Sequence, residues 1–327
     1  MSNGTGPPDL RKHCVHVVDA FLKGRVVPFL GAGVNLCDRP SGAVWKAKED
    51  RYLPKGWELA DHLAQQFHYP VSQDKLAGCP DPTSHLDLAR VSQYAATLLD
   101  QGPLYEELRT VFRAKFSPTS VHTFLAGLRA PQAERAEDSH PLFVTTNYDD
   151  LVEQALGDGN FDLVFYDADA KPRPIFWHAG PGVAAQPIPG PAAYPYEFFK
   201  ERPVVLKVHG TIDRADADRE SFVITEDQYI EYLSEEPMEK LLPPRLLQKM
   251  REKHHLLFLG YSLRDWNFRV FLRRLKREPR KQYRSWAVLL GADEVEERFW
   301  AQNGVEIVNV DLGTYVEAMR QELSLRA

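Results

Sequence analysis

Two side chains stand out for the chemistry they could do. Asn147 lies in the polar run Thr145-Thr146-Asn147-Tyr148-Asp149-Asp150, which directly follows the apolar Leu142, Phe143 and Val144. His209 ends the run VVLKV and precedes Gly210. An asparagine amide both donates and accepts hydrogen bonds, so it suits a sugar hydroxyl or a water. A histidine can serve as a general base near neutral pH. Each also has a structural reading. Asn147 and the aspartates could cap the next helix, and His209 could be a hydrogen-bonded structural group. Two glycine clusters join them. Gly31, Ala32 and Gly33 follow the apolar Val26–Leu30, and Gly260 and Ser262 follow LLFL. Each is either a tight turn or a place where backbone can approach a phosphate-bearing ligand.

Other chemistries find less support. Position 36 is Leu, so the glycine turn is not a G-x-G-x-x-G fingerprint, and no GK[ST] follows it. A G-x-S-x-G nucleophile elbow is absent. His13 with His16, and His254 with His255, lack further ligands at metal-site spacing. Asp149 and Asp150 could bind Mg²⁺, but no phosphoryl-transfer signature accompanies them. The cysteines are Cys14, Cys37 and Cys79. None form a CxxC pair, and a four-cysteine zinc site lacks its fourth ligand. This usage points to a reducing, cytoplasmic setting.

The elements that would position these residues follow from periodicity. Val26–Leu30, Leu142–Thr145, FDLVFY, VVLKVHG, HLLFLGYS, SWAVLL and VEIVNV read as short buried strands. Pro28 is awkward in a central strand, since it cannot donate to a ladder. Helices are expected at HCVHVVDAFLKG, with Val15, Val18, Phe21 and Leu22 on one side. Others are expected at DLVEQAL, at MEKLLPPRLLQKMREKH in part, at DWNFRVFLRRLKR, at DEVEERFWAQ and over roughly 312–325. Between 45 and 135 the chain turns helical. Its clearest helix runs from Asp87 to Asp100, with Leu88, Val91, Ala95 and Leu98 as its stripe. Residues 167–200, rich in Pro, Gly and Ala, read as a long loop.

Strands alternating with helices give an α/β fold, a Rossmann-like parallel sheet with helices on both faces and a helical insertion. The expected division is a core of 1–44 and 136–327 with an insertion or subdomain at 45–135. In such sheets ligands bind at the carboxyl ends of the strands. All four polar or glycine clusters sit at such ends, which points to one shared site.

Composition agrees. The 327 residues are 43% hydrophobic and 26% charged, as in an ordinary globular protein. The net charge of −6 argues against a general nucleic-acid coat. From Asp265 to Arg284 eight basic residues face two acidic ones, either a solvated helix face or a contact for a partner or nucleic acid. The first residues lack a signal-peptide pattern and the apolar runs are too short for a membrane span, so no membrane association is expected.

In order, FLGAGVN, TTNYDDL, LKVHG and FLGYSLRD resemble the sirtuin catalytic core. They are closest to the sirtuin-like NAD hydrolase domains of bacterial antiphage defence systems. The resemblance runs from about Val26 to Val310. It implies that Gly31, Ala32 and Gly33 hold the pyrophosphate of NAD, which is substrate as well as cofactor. Asn147 matches the catalytic asparagine and His209 the catalytic histidine. Asp149 matches the aspartate of the nicotinamide pocket. Gly260 and Ser262 match the segment beside the adenosine ribose, and Asp265 the start of the next helix. Asn35 and Thr146 complete the cofactor-binding set, and both depart from the pattern. Deacylases of the family carry Ser and Gln there, and they also carry a zinc ribbon that three cysteines cannot build. The resemblance thus implies an NAD glycohydrolase (NADase), an enzyme without zinc that gives ADP-ribose and nicotinamide. It further implies control by assembly as a homo-oligomer or by a partner ATPase of the HerA translocase type. The competing readings are an NAD-dependent protein deacylase or ADP-ribosyltransferase, and a non-catalytic subunit that binds NAD or ADP-ribose.

Overall fold

The computed structural model describes residues 10–47, 51–70, 86–128, 140–157, 161–170, 175–180, 183–194, 201–214, 216–234, 242–251, 254–262, 266–275 and 283–326. Nine described strands form one sheet. They are β1 (Val26–Leu30), β2 (Leu142–Thr145), β3 (Asp162–Asp167), β4 (Ile175–Ala179), β5 (Gln186–Ile188), β6 (Val204–Lys207), β9 (His255–Leu259), β10 (Ser285–Val288) and β11 (Val305–Val308). A short hairpin of β7 (Gly210–Thr211) and β8 (Ser221–Phe222) stands apart from it. The order across the sheet is β11-β10-β9-β1-β2-β6-β3-β4-β5. Pairing is parallel from β11 to β3 and antiparallel beyond.

This order has a consequence for binding. From β1 the chain moves to β2 on one side, and from β9 it moves to β10 on the other. β1 and β9 are neighbours, so the winding reverses between them. Such a reversal opens a crevice at the carboxyl ends of the strands.

The apolar runs form strands because both faces of the sheet are covered. Val27, Phe29, Val144, Leu206 and Phe258 face one core. That core is closed by α7 (Glu226–Ser234), α8 (Pro244–Arg251), α9 (Trp266–Leu275) and α10 (Glu294–Gln302). Val26, Leu30, Phe143, Val205 and Leu259 face the other. There α1 (Leu10–Leu22), α5 (Ser120–Gly127), α6 (Leu151–Leu156) and α11 (Leu312–Ser324) pack. Alternate residues of one strand thus feed opposite cores. The remaining helices are α2 (Gly56–Gln66), α3 (Leu88–Leu99) and α4 (Gln101–Phe112).

The structure corrects four expectations. Residues 167–200 are not one long loop, since they contain β4 and β5, which extend the sheet at its antiparallel edge. Pro28 does sit in a central strand. Gly31 N donates to Leu259 O and Thr146 N donates to Leu30 O, so odd residues of β1 face β9 and even ones face β2. Pro28 therefore faces β2, whose ladder with β1 begins only at Phe29. Its missing donor falls at the margin of that ladder. On α1 the buried side is Cys14, Val17, Val18 and Phe21, and Val15 lies at its margin. Leu98 is 58% exposed and does not belong to the buried stripe of α3.

The helical segment packs against the sheet-bearing part of the chain. Leu59 and Leu63 of α2, Val91 of α3 and Leu104 and Leu108 of α4 share one core with Leu151, Ile212, Phe222 and Ile224. Ion pairs reinforce this seam. Arg109 of α4 and Arg113 just after it both reach the fully buried carboxylate of Glu220, at 2.6 and 2.7 Å.

Candidate functional site

The four strands that carry the polar and glycine clusters are adjacent, in the order β9-β1-β2-β6. Their carboxyl ends surround a cavity of about 320 Å³. Gly31, Ala32, Asn35, Thr146, Asn147, Asp149, His209, Gly260 and Ser262 all line it. Leu53, Pro54, Lys55 and Leu59, with Leu88 and Phe112, line it from the helical segment. A second cavity of about 830 Å³ adjoins it over the ends of β9, β10 and β11. Gly33 lines this wider part, and Asp265 lies outside the described residues. Ala32, Lys55, Gly56, Gly260, Tyr261 and Ser262 line both. The two together make one long cleft over the switch in winding.

Glycine is required where the two strand ends touch. Gly260 has φ +71°, a region costly for other residues. A Cβ on Gly31 would lie 2.7 Å from Gly260 O, and one on Gly33 would lie 2.8 Å from Gly260 Cα. Gly31 N donates to Leu259 O and Gly33 N donates to Gly260 O, both at 2.9 Å. The turn after β1 is thus bound to the turn after β9. The amides of Gly31 and Gly33 are committed to this contact.

Asn147 is held in place by its own neighbours. Its backbone N donates to Thr145 Oγ1 at 3.0 Å, and its Nδ2 donates to Gly31 O at 3.3 Å. This leaves Oδ1 as the amide's open acceptor. Asn35 Nδ2 donates to Asp149 Oδ2 at 2.7 Å, and Leu151 N donates to Asp149 Oδ1 at 3.2 Å. A carboxylate can only accept, so this contact fixes which way the Asn35 amide points. Asn35 is 8% exposed, and its Oδ1 is buried without a partner among the described residues. Such an atom favours a ligand that brings a donor. Of the expected helix caps, Asp149 meets the start of α6, while Asp150 pairs with Arg214 at 2.7 Å.

His209 is half-buried, with its ring edge-on to Tyr229 and Tyr232 at centroid distances of 5.6 and 5.1 Å. Desolvation lowers its pKa to about 4. The imidazole is therefore neutral at pH 7, the form that can accept a proton. Thr146 Oγ1 lies 3.3 Å from the Tyr261 hydroxyl, and the Tyr261 ring stacks on Phe268 at 4.3 Å.

Lys207 and Lys55 also belong to this site. Lys207 is fully buried in β6, where its Nζ donates to Tyr148 O, Asp149 O and Glu153 Oε1. It holds the loop that carries Asn147 from beneath. A lysine inside the apolar run VVLKV was the available signal, because an interior cation needs a built partner set. Lys55 had no such signal, since its place depends on how the helical segment folds back.

The SIR2-like domain family matches residues 141–308. The chain belongs to the SIR2-like family. The matched stretch runs from β2 to β11 and includes Asn147, His209, Gly260 and Ser262. The glycine turn and the helical segment of this SIR2-like chain lie before it. No curated protein matches the chain. A SIR2-like domain is an NAD-binding domain, so the family supports NAD-using chemistry in general. Among the described residues no group of three or more metal-ligating side chains gathers, and Cys79 lies outside them. No described helix is long and apolar enough to cross a membrane.

Proposed function

We propose that this SIR2-like chain hydrolyses NAD to ADP-ribose and nicotinamide. The observation that carries the reading is the meeting of an open Asn147 Oδ1 and a neutral His209 in one small cavity at the switch in winding. The longer cleft has room on the far side of Gly260 for the adenosine half of a dinucleotide. The unpaired Asn35 Oδ1 suits a donor such as a carboxamide N–H of the nicotinamide.

In the proposed reaction the bond from the ribose anomeric carbon to the pyridinium nitrogen breaks. Its electron pair goes to nicotinamide, which leaves neutral. A water oxygen bonds to the anomeric carbon and releases one proton. Asn147 Oδ1 accepts a hydrogen bond from that water or from a ribose hydroxyl and so fixes its position. His209 takes the proton from the water or from a ribose hydroxyl. The apolar roof of Leu53, Leu59, Leu88 and Phe112 shields the reacting carbon from other acceptors, which favours water over a peptide lysine.

The proposal extends to regulation. A cell that makes such an enzyme must restrain it, so activity would depend on homo-oligomer assembly or on a partner ATPase of the HerA translocase type. The setting proposed is antiphage defence in the cytoplasm. These parts rest on the family resemblance alone.

The test is substitution. Asn147→Ala and His209→Ala should each reduce NAD turnover at least about a hundredfold, with circular dichroism and melting close to wild type. Wild-type rates in both variants would refute the assignment.

A further inference from the structure

We propose that Lys55 is the cation that holds the diphosphate of a dinucleotide lying along the cleft. The inference rests on reading the cleft as a dinucleotide site, and it assigns a role that the glycine turn was expected to fill.

The glycine turn meets little of a diphosphate's charge. A turn that cradles a diphosphate does so through backbone N–H groups that point at the ligand. Here Gly31 N and Gly33 N donate to Leu259 O and Gly260 O, and Val34 N donates to Gly31 O. Three amides of the turn are thus closed inside the protein. The turn shapes the cleft floor but leaves most of the diphosphate charge unmet.

The cavity with Asn147 and His209 and the cavity over β9 to β11 share a seam. A dinucleotide with one ribose at Asn147 and its other nucleoside over β10 has its middle at that seam. The middle of the molecule is the dianionic diphosphate. Lys55 and Gly56 stand there, opposite Gly260 to Ser262. Among the described residues that line either cavity, Lys55 is the one lysine or arginine. Asp149, Glu296 and Asp311 on the same walls are acidic and would repel a diphosphate.

The backbone that carries Lys55 is fixed. Lys55 N donates to Glu58 Oε2 at 2.8 Å, and Trp45 N donates to Glu58 Oε1 at 3.1 Å. Arg39 forks onto the same carboxylate, with Nη1 at 2.7 Å from Oε2. Burial alone would raise the Glu58 pKa, yet Arg39 and these amides hold it down to about 2. The Lys55 side chain is half-buried, and its Nζ lies 5.8 Å from the Trp57 ring centroid. That is a weak resting contact, so the ammonium can turn into the seam at little cost.

The test compares ligands that share an adenosine and differ in charge. ADP-ribose, ADP and adenosine are titrated by calorimetry into wild type, Lys55→Gln and Lys55→Arg. Loss of one charge-assisted contact should weaken ADP-ribose and ADP by about tenfold or more in Lys55→Gln. Adenosine should bind all three proteins alike, and Lys55→Arg should restore most of the loss. The salt dependence of ADP-ribose binding should also shrink in Lys55→Gln. Equal ADP-ribose affinity in wild type and Lys55→Gln would overturn the assignment while leaving the cleft as a dinucleotide site. A wild-type protein that binds neither ADP-ribose nor NAD would overturn the reading of the cleft itself.

Discussion

His209 sets the most direct pH dependence. Its ordinary pKa of 6.5 falls to about 4 because the ring is desolvated. As a base it must be neutral in the free enzyme, so kcat/KM should hold level through pH 6 and fall on an acid limb near pH 4. A limb near 6.5 would mean that His209 is solvated or is not the base. Stability follows the same sign. The unfolded histidine binds a proton at pH values where the folded one does not. Stability present above pH 6.5 is therefore lost as pH falls from about 6.5 to about 4. Asn147 has a different kind of constraint. Its Nδ2 is tied to Gly31 O, so only Oδ1 faces outward chemistry. An aspartate there would set a carboxylate oxygen against that carbonyl in place of the amide donor and lose the tie.

Strand ends do the positioning, and two substitutions test them. Gly260 adopts φ +71° with Val34 directly against it. Gly260→Ala should cost at least about 2 kcal/mol in denaturant unfolding, and it should open the contact between the turns after β1 and β9. Lys207 supports the loop between β2 and α6. Lys207→Met leaves Glu153 buried without its cation and should cost about 3–5 kcal/mol. Adding Glu153→Leu should recover much of that stability. It should not recover NAD turnover, because Lys207 also ties Tyr148 O and Asp149 O. Recovery of both would show that Lys207 serves the fold alone. These elements differ in how well the sequence shows them. β1, β2, β6 and β9 read clearly because strands buried on both faces are continuous apolar runs. The polar residues just beyond them then stand out. β4 and β5, at the antiparallel end of the sheet, hide among Pro and Gly because few of their side chains are buried. Pro28 misleads because its tolerance depends on which neighbour it faces. Leu98 misleads because helical period says which residues share a face, not how far the partner surface extends.

The whole molecule joins a recognised half to an unmatched one. The family match covers β2 to β11, while the glycine turn, the roof of the cavity and Lys55 come from the chain before it. The expected boundary at 45–135 describes composition well, yet the helices share a core with Ile212, Phe222 and Ile224. Unfolding followed by far-ultraviolet dichroism and by tryptophan fluorescence should therefore show coincident transitions. An early transition confined to the helical segment would indicate an independent subdomain. The charge arithmetic also gains meaning at this scale. The net −6 disfavours any general attraction for anions, so a dinucleotide must be met locally, by a cation such as Lys55.

The proposed cleavage of NAD by water can be tested directly. The deciding measurement incubates the purified protein with NAD in ¹⁸O-labelled water, alone and with the proposed partner ATPase of the HerA translocase type, and separates the products by chromatography with mass detection. Hydrolysis by water gives nicotinamide and ADP-ribose in equal amounts, with the label on the anomeric hydroxyl of the first-formed ADP-ribose and none of the product attached to protein. Intact NAD in every sample, or an ADP-ribosyl group found on protein instead of on water, would contradict it.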